Sequence, residues 1–172
     1  MEKQKDVDLC FDTLFINEMP FLATVSKCLL YCTIEWLPTQ TTWNYKRIFS
    51  NVICLYKTAG FTIRTISCDH EYLSLAKEVQ DEYNITPNYA SAQEHIPEAE
   101  SKNQCIKECI HATFHSLPFK AIPRIMIKYL AMEATKKINF FLLKVGVFPY
   151  YSPREILHHE KLDYKKHCSI PT

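Results

Sequence analysis

Glycine is nearly absent from this chain: 172 residues contain only two. Phosphate-cradling loops need glycine at fixed offsets, so the dinucleotide fingerprint and the P-loop are both excluded. The sequence also lacks a dominant charge. Twenty Lys and Arg against nineteen Asp and Glu leave a net charge of +1, so any nucleic-acid contact must come from a local patch rather than a global field. No apolar run approaches the ~18 residues of a membrane span, and FFLLKVGVF is short and interrupted by Lys144. The charged start, Met1-Glu-Lys-Gln-Lys-Asp, has no apolar stretch of the kind a secretory leader carries, which predicts an intracellular chain, in nucleus and cytoplasm.

What is present is enough for one folded domain over 1–172. Hydrophobic residues make up 47% and charged residues 23%, close to globular averages, so a core forms without staples. Eight cysteines in a chain without a secretory signal read as reduced thiols. Cys10, Cys54 and Cys68 lie in apolar periodic segments and read as small buried hydrophobes.

Periodicity predicts strands over 7–16, 20–27, 28–37, 61–68 and 85–89, with a turn-like break at Asn17-Glu18-Met19-Pro20. Helices are predicted over 41–58, with Gly60 as a stop signal, and over 72–83, 97–117 and 121–144. A loop covers 90–97, and the tail from Pro149 holds a loop and a short helix. This order predicts an α/β domain: an antiparallel meander joined to parallel strands, covered by helices.

Three acidic residues stand out. Asp12 lies inside an apolar run, VDLCFDTLFI, where an unpaired carboxylate costs several kcal/mol. It shares a strand face with Asp8, Cys10, Leu14 and Ile16; capping a turn or facing solvent at a sheet edge is the plainer alternative. Asp69 closes FTIRTISCD, at a strand's carboxyl end where open α/β sheets bind ligands. It would also serve as N-cap of the following helix. Glu100 opens a long helix, where any acid favours the macrodipole, and Glu94 and Glu98 compete with it. Brought together, three carboxylates make a cation site suited to phosphoryl transfer.

The chain resembles the catalytic core of retroviral and LTR-retrotransposon integrases, most closely the copia type, from about residue 7 to 160. Its motifs are Asp12-Thr13-Leu14-Phe15-Ile16-Asn17-Glu18-Met19-Pro20-Phe21-Leu22, Ser67-Cys68-Asp69-His70-Glu71-Tyr72 and Ala99-Glu100-Ser101-Lys102-Asn103. The fourth is Phe148 to Leu157, with Tyr151-Ser152-Pro153-Arg154-Glu155-Ile156-Leu157 at its end. The resemblance implies an RNase H-like fold with a five-stranded mixed sheet flanked by helices. It implies a catalytic and metal-holding triad, Asp12, Asp69 and Glu100, with two Mg²⁺ or Mn²⁺ ions. It further implies a polynucleotidyl transferase, acting on double-stranded DNA as a homodimer or higher multimer. Helical phase selects Glu100 over Glu98: the family's apolar positions six, nine and ten residues on fall at Ile106, Cys109 and Ile110, against Gln104, Lys107 and Glu108. Lys102, Asn103 and Lys107 are the candidate DNA contacts; a solvated helix face is the alternative for both lysines. The interval from Asp69 to Glu100 is a few residues short of the family's usual one, and His70 and Glu71 replace small residues. No zinc-binding or basic flanking domain is visible, so a non-catalytic module binding nucleic acid or a protein partner is the alternative function.

Cys105, Cys109, His111 and His115 invite a zinc reading. On a helix the Cys pair and the His pair point apart, so no zinc is expected in this domain unless that segment is not helical. Cys28 and Cys32 are expected within a strand, where they fail the knuckle geometry.

Overall fold

The computed structural model describes residues 5–69, 72–89, 97–141 and 150–167. It is an α/β structure with a five-stranded mixed sheet in the order β3-β2-β1-β4-β5. The strands are β1 (Asp6–Ile16), β2 (Met19–Ser26), β3 (Cys32–Trp36), β4 (Thr62–Cys68) and β5 (Thr86–Tyr89). The helices are α1 (Thr42–Thr58), α2 (Leu73–Tyr83), α3 (Pro97–Ser116), α4 (Arg124–Ile138), α5 (Pro153–His158) and α6 (Tyr164–His167). The first strand is central, antiparallel to β2 and parallel to β4.

Alternation along β1 divides the molecule. Val7, Leu9 and Phe11 face α1 and α2, in a core with Ile48, Phe49 and Val52. Leu14 faces α3 and α4, in a second core with Phe21, Ile106, Ile127 and Ala131. A register shift after Val7 leaves Arg64 of β4 without an opposite number. Such a bulge restores inward alternation after one extra residue, so Ile63 and Ile66, three apart, both reach the first core.

The hairpin between β1 and β2 is tighter than the expected four-residue break. Only Asn17 and Glu18 lie outside the strands, at φ 48° and 63°, the left-handed pair that matches strand twist in two-residue hairpins. Met19 and Pro20 are already in β2. The third strand starts late, because the chain from Ser26 turns through Leu30 at φ 55°. The Ser26 backbone N–H donates to the Tyr31 carbonyl at 3.1 Å, and Cys28 lies in this turn rather than in a strand. α1 is capped by the Thr41 side chain and stops at Gly60, whose φ of 81° suits glycine.

The second long helix is shorter than the expected 121–144. α4 ends at Ile138 because Asn139 turns its buried side chain onto β3. Its Oδ1 accepts from the Cys32 N–H at 2.8 Å, and its Nδ2 donates to the Cys32 carbonyl at 2.7 Å. One amide thus replaces a neighbouring strand at this sheet edge. The expected helical residues 142–144, the loop residues 90–96 and the start of the tail motif at Phe148 lie outside the described residues. α5 sends Leu157 into the α1/α2-side core, so it does not cover the outer stripe of α4, where Ile125, Tyr129 and Met132 are exposed. No helix among the described residues is long and apolar enough to cross a membrane.

Candidate functional site

The last pair between β1 and β4 is Cys10 with Ser67. Asp12 lies two residues further along β1, and Asp69 directly follows Cys68, the last residue of β4. Asp12 turns towards α3, because its Oδ2 accepts from the Asn103 Nδ2 at 2.8 Å. Both aspartates are half-buried, and Asp69 stands at the carboxyl end of β4.

The plainer alternatives for both residues are overturned. Asp12 sits on the central strand, under α3. Asp69 is not the cap of α2: that helix begins at Leu73 with Tyr72 in the cap position and no side-chain cap bond. Asp69 instead accepts the Tyr72 N–H with its backbone carbonyl, at 3.0 Å.

Helical geometry places Glu100 relative to this pair. Asn103 stands over Asp12. Lys102, about 100° round the helix, lines a crevice with Ala23, Thr24, Val25 and Cys32, on the β2 and β3 side. Glu100 lies about 60° from Asn103 in the other direction and one turn earlier, away from the β2 and β3 side. Glu100 is exposed. Glu94 and the side chain of Glu98 lie outside the described residues, as do His70 and Glu71.

Among the described residues, no three His, Cys, Asp or Glu side chains are gathered closely enough to hold a metal ion. Carboxylates without a cation repel one another, and a bound ion draws its ligands to about 2.1 Å. Carboxylate oxygens are the hard ligands that Mg²⁺ and Mn²⁺ take.

The candidate DNA contacts divide. Lys107 is exposed and Lys102 half-buried, whereas Asn103 is buried and directed at Asp12. The one role the structure gives Asn103 is to hold that carboxylate.

Behind Asp12, on the other sheet face, is a hydroxyl chain that sequence reasoning missed. The Tyr72 hydroxyl donates to Thr13 Oγ1 at 2.6 Å, and Thr13 Oγ1 lies 3.2 Å from the Tyr45 hydroxyl. These groups border a cleft of about 350 Å³ with Phe15, Gln40 and Thr42. The only signal was the aromatic two residues after His70. Tyr72 thus ties both carboxylate-bearing strands together, through its backbone to Asp69 and through its hydroxyl to the neighbour of Asp12.

Two buried thiols are held in their protonated form. Burial, with the adjacent Asp69 charge, pushes the Cys68 thiol up to about 12. Burial also drives Cys32 to about 12, only partly offset by the Lys102 cation. Cys10 is buried as expected, but Cys54 is exposed on the outer side of α1. The four-ligand zinc reading fails because α3 is one helix through all four residues.

Compared with known proteins, the sequence matches no family model and no curated protein.

Proposed function

We propose that the chain is an integrase catalytic core with an RNase H-like fold, carrying out DNA 3′-end processing and strand transfer for a retrotransposon. The observation that supports this reading is Asp12 on the central strand, its carboxylate accepting from Asn103 of the Glu100 helix at 2.8 Å, with Asp69 just past the end of the adjacent parallel strand β4. Asp12, Asp69 and Glu100 would hold two Mg²⁺ or Mn²⁺ ions, whose charge stabilises the attacking and leaving oxygens of a phosphodiester. The chain's own residues orient and bind. Asn103 fixes the Asp12 carboxylate through its amide, and Tyr72 with Thr13 fixes the spacing of the two strands. Lys107, with Lys102 at the helix flank, supplies charge for DNA phosphates without reading sequence.

Joining two element ends to one target calls for at least two copies. The exposed Ile125, Tyr129 and Met132 stripe of α4 is the proposed homodimer surface. Such chemistry belongs where element DNA is made and inserted, in cytoplasm and nucleus.

One observation favours the second reading, a non-catalytic module that binds nucleic acid or a protein partner. Asp12 already accepts an amide hydrogen bond, and an ion must compete with it. A disintegration assay on branched oligonucleotides, with Mg²⁺ or Mn²⁺, separates the two. Catalysis predicts joined and released products that vanish in Asp12→Asn and Asp69→Asn. DNA retardation without product supports the second reading, and neither product nor retardation contradicts DNA involvement altogether.

A further inference from the structure

We propose that His111 and His115 form a two-imidazole chelate for a divalent transition-metal ion of the Ni²⁺ or Cu²⁺ type. The site stands on the exposed face of α3, independent of the carboxylate site. His111 lies eleven residues beyond Glu100, about 16 Å along the helix axis.

The pair is preset by secondary structure. α3 is continuous from Pro97 to Ser116, and residues four apart lie one above the other on a helix face. Both histidines are exposed. Their Nε2 atoms are 3.0 Å apart, while the ring centroids are 4.2 Å apart. The rings are thus closer at their Nε2 tips than at their centres, so both Nε2 atoms lie within reach of one ion. The Phe114 ring stands edge-on to His115 at 5.6 Å and restricts its swing. Glu108, one turn earlier on the same face, adds negative charge; its carboxylate accepts from Gln104 at 2.7 Å.

Two imidazoles leave the remaining positions to water oxygens, and such a nitrogen and oxygen donor set suits Ni²⁺ and Cu²⁺. In the metal-free chain, one Nε2–H donates to the other Nε2. On binding, that hydrogen moves to Nδ1 of the same ring, and both imidazoles bind neutral through Nε2. Water fills the remaining positions. Cys105 is exposed, but lies about 120° round the helix and about 9 Å back from His111, and takes no part.

Calorimetric titration of the full chain with Ni²⁺ tests this. In excess Mg²⁺, which competes for the carboxylates, the wild type should take up one Ni²⁺ ion. His111→Gln and His115→Gln should each weaken uptake at least tenfold, and Cys105→Ser should leave it unchanged. Glutamine favours helix more than histidine does, and circular dichroism checks that helix content is kept. The chelate is overturned by no uptake in the wild type, by unchanged uptake in both His variants, by weakening in only one of them, or by loss in Cys105→Ser.

Discussion

The two faces of the sheet divide labour. Against α1 and α2 the sheet presents an apolar and aromatic face: Phe11 meets the Phe49 ring edge-on at 4.7 Å and the Tyr72 ring at 5.0 Å. Against α3 and α4 the apolar core is smaller and is interrupted by Asp12, Asn103 and Asn139, each engaged in a hydrogen bond. One face spends its residues on burial. The other keeps the Asp12 carboxylate hydrogen-bonded and half-open. The difference teaches that Asp12 is held from the opposite face: β1 is fixed by aromatic packing behind it, and the carboxylate projects toward α3.

The largest effect should follow from breaking the aromatic side. Phe49 is 1% exposed, and Phe49→Ala should cost about 3–5 kcal/mol, read as a lower urea midpoint. An equal loss from Glu100→Ala, on the other face, would contradict the division.

Next comes the polar clamp. Asn139→Ala strips the Cys32 backbone of both partners, and an unsatisfied buried polar group costs about 1–3 kcal/mol. Urea unfolding should show a loss of about 2–3 kcal/mol, with hydrogen exchange speeding at β3 before β1. Uniform acceleration across the sheet would show that the clamp does not act locally.

A smaller, pH-dependent effect belongs to the α5 cap. Burial pushes the Glu155 carboxyl up, but N–H donors from Leu162 and Ser152, the Ser152 hydroxyl and the Lys161 charge together hold it below the ordinary value. A depressed acid stabilises fully above its unfolded pKa and loses that contribution as pH falls through its folded one. Melting of wild type and Glu155→Gln should therefore differ most near neutrality and converge as the pH falls below the ordinary carboxylate range. A gap that widens on acidification would reverse the sign.

The smallest expected change in monomer stability is from Tyr129→Glu, within about 0.5 kcal/mol because the site is exposed. Its readout is sedimentation: the wild type should self-associate at micromolar concentration and the variant should not. A wild type that stays monomeric removes the dimer surface.

Strands and helices were legible because their apolar periods are clear, as in VDLCFDTLFI and in α1. The misplaced ends have physical causes that letters do not show. Leu30 takes a left-handed turn without glycine or asparagine, which shortens β3. Asn139 ends α4 through a contact with a residue 107 positions away. Cys54 looked buried in an apolar segment, yet falls on the outer face of α1. Of the site, the two aspartates were legible because a carboxylate in a strand demands a reason. Asn103 was visible on the right helix, but as a DNA contact; that it turns inward depends on α3 packing across β1. The Tyr72–Thr13–Tyr45 chain could not be read, since it joins three elements distant in sequence.

The central claim, that Asp12 and Asp69 act as a pair toward a divalent ion, is tested most directly by melting in Mn²⁺. One site at 100 times its dissociation constant adds about 2.7 kcal/mol, or about 5–10 °C for a chain of this size. The wild type should show that rise, while Asp12→Asn and Asp69→Asn, folded without metal, should each lose most of it. Equal Mn²⁺-induced rises in all three proteins would contradict the account.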